Sequence, residues 1–293
     1  MKASRLALLG LAIPVLALSG AAPALAHFQM LYVPNASLDK GAATTMGVVF
    51  THPFPGGPTM NMGKPLAFYV VAQRGTDGAP KKTDLAQYLK PIQWKADEGM
   101  IAAYQADLPR EVVRSLGDYV FVLEPDPYLE KEEDKYIQQI TKLVMNVGGV
   151  PGNWDKPLGL AAEIQPLDRP YANWAGGVFS GVVLSAGKPV PFAEIEVEYM
   201  NHAPDMTGHT FAKQASVDAP TAAYNAMKVR SDANGTFTIG LPRAGWWGIA
   251  ALGVGPETKH DGKPLSQDAV IWVQAKAMTS ARAPTKTTAK AAK

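Results

Sequence analysis

The chain has 293 residues, 47% of them hydrophobic, with 28 Lys and Arg, 26 Asp and Glu, and no cysteine. That composition excludes disulfides, thiolate metal sites and cysteine nucleophiles, so any metal must be held by His, Met, carboxylates or backbone groups. Residues 27–275 carry 21 basic and 26 acidic side chains, a balance that argues against nucleic acid as a partner and is compatible with cations.

The first 26 residues combine Lys2 and Arg5, an uncharged apolar run from Leu6 to Leu18, and the small residues Ala24 and Ala26 ahead of a cut site. This is the pattern of an export signal. The run is shorter than the roughly 20 residues a bilayer span needs, it contains Pro14, and no later segment is long and apolar enough to cross. The mature chain is therefore expected to begin at His27, to reside in the periplasm and not to span the membrane itself.

β-forming runs follow at short intervals: Phe28 to Val33, Thr44 to Thr51, Leu66 to Gln73, Ile92 to Lys95, Met100 to Asp107 and Asp118 to Leu123. His52 stands at the end of the second, just before the loop Pro53-Phe54-Pro55-Gly56-Gly57-Pro58, which no helix or central strand would tolerate. One or two helical turns are expected between Leu108 and Leu116. The charged segment Tyr128 to Ile140 reads as a short helix or extended lid before a strand at Lys142 to Val147.

Residues 150–174 hold four prolines and read as a connector. A second run of strands begins near Gly176: Val178 to Leu184, Ala193 to Met200, Lys228 to Ser231, Thr236 to Ile239, Trp246 to Leu252 and Ala269 to Gln274. In Ala193 to Met200 the alternation of Glu194, Glu196 and Glu198 with Ile195, Val197 and Tyr199 puts acids on one face and apolar side chains on the core face. Asp232-Ala233-Asn234-Gly235 reads as a tight hairpin turn. The expected architecture is mainly β: two tandem β-sandwiches, immunoglobulin- or transthyretin-like, over residues 27–165 and 176–275, with a linker at 166–175 and a disordered basic tail at 276–293.

If cleavage falls after Ala26, His27 acquires a free α-amine. That amine and the imidazole Nδ1 of the same residue can close a six-membered chelate ring on one cation. His52, also at a strand end, would supply a third nitrogen. Such a donor set suits Ni(II), Co(II) or Cu(II) far better than Ca(II) or Mg(II). Met60 and Met62 follow the His52 loop and could add thioether ligands, which would favour copper, although methionines also serve as core filler. His260, in the turn-like His260-Asp261-Gly262, could approach the first domain. His202 and His209, seven apart in a polar loop with Asp205 and Met206, could form a second cation site but are more readily read as solvent-facing. Glu130, Glu132, Glu133 and Asp134 read as a solvated charged face, and Trp246-Trp247 as two aromatics closing a core on alternate faces. No Gly-x-Ser-x-Gly elbow, phosphate-binding glycine loop or His-Glu-x-x-His helix is present, so no catalytic residue is assigned and no enzyme is expected.

Ala26-His27-Phe28-Gln29-Met30, Thr51-His52-Pro53-Phe54, Pro127-Tyr128-Leu129-Glu130 leading into Thr141-Lys142, and Gly245-Trp246-Trp247-Gly248 together resemble the DUF4198 family, over nearly all of residues 27–274. Members are exported proteins often described as periplasmic components of nickel or cobalt uptake systems. The resemblance implies capture of Ni(II) or Co(II) for a membrane transporter, with His27 and His52 as the implied ligand positions. Residues Gly181 to Leu252 also look like a transthyretin-like, Cna-B-type sandwich, a module that is usually structural or adhesive. Three alternatives stay open: a periplasmic copper-binding protein, a copper-dependent oxidative enzyme using an N-terminal histidine brace, and an adhesive β-sandwich protein without metal.

Overall fold

The computed structural model describes residues 27–280; the expected signal peptide and residues 281–293 of the tail lie outside them. The first part of the chain forms β1 (Phe28–Tyr32), β2 (Thr44–Thr51), β3 (Ala67–Gln73), β4 (Lys81–Asp84), β5 (Leu89–Ala96), β6 (Gly99–Leu108), β7 (Gly117–Glu124), β8 (Tyr128–Glu130) and β9 (Lys135–Val147), with β-branched and aromatic residues densest in β2, β3 and β7. After the proline-rich stretch come β10 (Ala162–Pro166), β11 (Gly177–Ser185), β12 (Glu194–Tyr199), β13 (Met227–Arg230), β14 (Thr236–Leu241), β15 (Gly245–Ala251) and β16 (Lys263–Lys276). Helical structure among the described residues is confined to two short 3-10 turns, Ala86–Tyr88 and Ala222–Tyr224. None is long and apolar enough to cross a membrane.

The expected helical turns between Leu108 and Leu116 form only reverse turns, closed by Val112 N–H to Pro109 and Val113 N–H to Arg110. The charged stretch from Tyr128 is neither helix nor lid. It is the antiparallel hairpin of β8 and β9, with Glu130 opposite Lys135. Within the expected connector, Ala162–Pro166 pairs with β11 from Ala162↔Ser185 to Pro166↔Gly181. Pro166 terminates this strand rather than interrupting it.

Sandwich packing is present in both halves, and the two packings share one sheet. β9 and β16 pair in parallel from Tyr136↔Leu265 to Leu143↔Trp272, which joins β13-β12-β15-β16 to β9-β7-β3-β4. The sheet β1-β2-β6-β5 covers one face, and the small sheet of β10, β11 and β14 covers part of the other. Because side chains alternate along a strand, one strand feeds two cores. Val270 and Trp272 enter the first, with Phe28, Met30, Phe50, Trp94 and Phe121. Ala269, Ile271 and Val273 enter the second, with Phe179, Ile195, Phe237 and Ile249. Trp246 and Trp247 divide in the same way, one to each core.

Burial on both faces explains polar side chains in unexpected places. On β9, Gln138, Gln139, Thr141, Lys142 and Asn146 are all buried. Lys142 Nζ lies 2.7 Å from Glu163 Oε1, and Glu163 also accepts backbone N–H bonds from Leu158, Gly159 and Leu160. The acidic face of β12 is likewise covered: Glu196 and Glu198 are buried. Glu198 Oε2 accepts the Phe54 N–H at 3.1 Å, and Asn201 N–H reaches the Pro53 carbonyl. The His52 loop is thus wedged against the second half of the chain.

Candidate metal centre

Antiparallel pairing of β1 with β2 runs from Tyr32↔Gly47 to Phe28↔Thr51. One more step along that register sets His27 opposite His52, and directly opposed side chains share a face. The two imidazole centroids are accordingly 4.5 Å apart. His52 is held by its backbone: its N–H donates to Pro58 O at 3.2 Å, and its carbonyl accepts from Gly56 and Gly57 at 3.1 and 3.2 Å. Gly56 has φ +76°, and a Cβ there would stand 2.7 Å from the His202 ring, so glycine is required for this loop to close under that histidine.

Around His27, the Phe50 ring lies 5.4 Å away and the Tyr128 ring 6.1 Å away, centroid to centroid. His27 Nε2 lies 3.1 Å from Glu130 Oε2 of β8. Burial lowers the His27 pKa to about 4, outweighing nearby Glu133, with Lys135 adding to the decrease. The ring is therefore neutral at neutral pH. A carboxylate can only accept, so the single ring proton sits on Nε2 and Nδ1 keeps its lone pair. Nδ1 is the nitrogen that can chelate together with the residue's own α-amine. Carboxylate-histidine pairing of this kind fixes the tautomer and orientation of metal-ligating imidazoles.

The backbone here is held by side chains from the shared sheet. His27 O accepts from Gln139 Nε2 and Gln29 N–H donates to Gln139 Oε1, both at 2.6 Å. Gln29 O accepts the Trp272 indole N–H at 2.9 Å. Gln274 bridges Pro34 O and Ala36 N–H further along. Gly248 makes room for this docking: a Cβ there would stand 2.8 Å from the Phe28 ring and 2.9 Å from Trp272.

The remaining expected ligands make other contacts. Met60 pairs with Phe50 across the Thr59–Met60 bridge, and Met62 Sδ is 3.6 Å from Gln29 Nε2 beside a void of about 10 Å³. Both are core residues behind Phe50. His260 packs edge-on against Tyr136 at 4.7 Å and lies 3.7 Å from Asp261. His202 Nδ1 pairs with Ala212 O at 2.8 Å, and His209 Nε2 with Gln105 at 3.1 Å, so these two histidines serve different contacts. Among the described residues no group of three or more His, Cys, Asp or Glu is arranged to hold a metal ion. Two imidazoles are in place, and a third nitrogen would come from the α-amine of a chain beginning at His27. This all-nitrogen set fits a divalent transition metal and not a hard, oxygen-seeking cation.

Two residues that contact His27 carry little signal in the sequence. Glu130 resembles the rest of its acidic run, yet it faces His27 while Glu132 and Asp134 are exposed. Its place at the paired end of a strand was the available signal. Gln139 carries none, because its role depends on β1 lying beside β9.

Fold and site together define an all-β chain of sandwich packing that carries a cross-strand histidine pair at the head of its first strand. The chain belongs to the family described as domain of unknown function DUF4198, whose profile matches residues 24–255. No curated protein matches it. Among solved structures, the adhesin InvE of Yersinia pseudotuberculosis is 13% identical with a TM-score of 0.21, covering 83% of this chain and 58% of that one. The chain thus spans 58% of that adhesin's length. The alpha-2-macroglobulin of Escherichia coli is 11% identical at a TM-score of 0.20, covering 85% of this chain and 23% of that one. The D00-D0 domain of intimin is 9% identical at 0.19, covering 85% and 100% respectively. Likenesses this weak bear on neither mechanism nor partner.

Proposed function

We propose that the mature chain is a non-enzymatic periplasmic protein that binds one divalent transition-metal ion, nickel or cobalt, for delivery to a membrane uptake transporter. His27 would bind through its α-amine and Nδ1, and His52 through its imidazole. The observation that carries this reading is the 4.5 Å ring pair with Glu130 on the far nitrogen of His27. Burial keeps the His27 ring neutral and so ready to ligate, and Glu130 holds its orientation.

The same nitrogen set would take Cu(II), so the copper readings differ from this one in metal rather than in site. Burial of Met60 and Met62 in the first core supports reading them as filler rather than as thioether ligands for copper. Calorimetric titration of protein beginning at His27 with Ni(II), Co(II) and Cu(II), beside a form with one added N-terminal Gly, tests the proposal. The added residue is expected to weaken binding at least a hundredfold; equal affinities would refute the chelate. Metal analysis of protein taken from its native periplasm identifies the cargo, and turnover of peroxide with polysaccharide by the copper form would favour the oxidative enzyme.

A further inference from the structure

We infer that Gln139, oriented by Asp268, is the positioning residue that holds the mature N-terminus at its site; this deepens the metal-binding reading and rests on it. A terminal residue ordinarily frays. Here the β1–β2 ladder pairs no further than Phe28 with Thr51, leaving His27 at its open end. The Gln139 amide supplies what a second neighbouring strand would supply: Nε2–H to the carbonyl of His27, and Oε1 for the N–H of Gln29, each at 2.6 Å. Residue 28 is thereby bracketed on both sides.

An amide can be built either way round, and only one orientation works here. Nε2 also lies 3.2 Å from Asp268 Oδ2, and the other Asp268 oxygen accepts from Ser266 Oγ at 2.6 Å and from Gly253 N–H at 2.7 Å. Reversing the Gln139 amide would set its oxygen against the His27 carbonyl and the Asp268 carboxylate, and its NH2 against the Gln29 N–H. All three contacts would then be like against like. Gln139 and Asp268 are each 2% exposed, so water cannot substitute for a lost partner. Asp268 therefore reinforces the direction of the amide, and the amide holds the backbone from which the α-amine and imidazole of His27 project.

The test uses the full mature protein with Gln139→Leu, which keeps bulk and removes both bonds, and Asp268→Asn. In the latter, Ser266 and Gly253 hold the Asn oxygen, so its NH2 faces Gln139 Nε2, a donor against a buried donor, and the amide loses the partner that supports its orientation. Gln138→Leu is the matched control. That side chain is buried beside the site in sequence, but it bonds Pro125 O and Gln267. Ni(II) affinity is expected to fall at least tenfold in Q139L and D268N and less than threefold in Q138L. Release of the first residue by an aminopeptidase, measured without metal, is expected to rise at least tenfold in the first two variants only. Equal effects from Q138L would reduce the role to general stability and overturn the inference, as would unchanged trimming in D268N should Q139L fail to fold. A wild type that binds no metal refutes the proposed function, while the trimming assay still decides the role of Gln139.

Discussion

The buried pair Lys142–Glu163 makes an asymmetric prediction about what joins the proline-rich connector to the shared sheet. Both side chains are essentially inaccessible, at 2% and 0%, with 2.7 Å between Nζ and Oε1. Glu163 has other support, because three backbone N–H groups from Leu158 to Leu160 also point at it. The hydrogen bond found for Lys142 Nζ is the one to Glu163, and burial lowers the lysine's pKa despite that carboxylate. Lys142→Met removes the dependent partner and leaves a carboxylate still bonded to three donors, so the loss should be about 2–3 kcal/mol, below the usual range for breaking a buried pair. Glu163→Gln leaves the ammonium without its counter-charge and turns an NH2 toward backbone donors, which should cost about 4–5 kcal/mol. Urea unfolding of both variants measures the difference directly. Both losses should be the same in low and high salt, since a buried pair is screened little. A Lys142→Met loss equal to or greater than that of Glu163→Gln would refute the reasoning.

Removing the carboxylate beside His27, as Glu130→Ala, should weaken Ni(II) binding about 10–100-fold, with Glu130→Gln in between, as titration calorimetry would show. Glu198 has its pKa raised from 4.5 to about 8, chiefly by burial, which overcomes the hydrogen bond from Phe54. The folded state therefore holds that proton more tightly than the unfolded one, and the group's contribution declines as pH rises from 4.5 to 8. Glu198→Gln should match wild type in melting temperature at pH 5 and exceed it at pH 8.5, by an amount on the order of 4 kcal/mol in stability. Met62→Leu should cost less than about 1.5 kcal/mol in denaturant and leave metal affinity unchanged, as core filler would. Gly248→Ala forces a methyl against Phe28 and Trp272, which should cost about 1–3 kcal/mol and lower metal affinity through the displaced first strand.

Most strand positions were legible because alternation is strong where one face meets a core: Thr44 to Thr51 and Thr236 to Ile239 stand out on composition alone. The His27–His52 pairing was legible too, since both flank strands close enough in sequence to form a hairpin-like pair. β9 was legible only in its second half, as a strand from Lys142 to Val147. Its first half includes Gln138 and Gln139, which are buried and hydrogen-bonded to Pro125, His27 and Asp268, and this defeats a reading that equates polarity with exposure. Glu196 and Glu198 mislead in the same way: their alternation with Ile195 and Val197 is real, but both are buried, Glu198 against the His52 loop and Glu196 beside Lys228. The parallel join of β9 to β16 leaves no local trace, because residues 136 and 265 are related only through the finished sheet.

That join sets the order in which the molecule can be completed. β1 is the first strand among the described residues, yet the indole that bonds Gln29 and the amide that bonds Pro34 and Ala36 belong to residues 272 and 274, on β16. Contacts spanning some 240 positions form late in folding, since the intervening chain must be ordered first. A partly made chain can therefore carry both histidines and still not hold its first strand in place. The proposed site would mature only in a molecule synthesised through β16, because a shorter product would lack Asp268 beside Gln139 and the bonds of Trp272 to Gln29 and of Gln274 to Pro34.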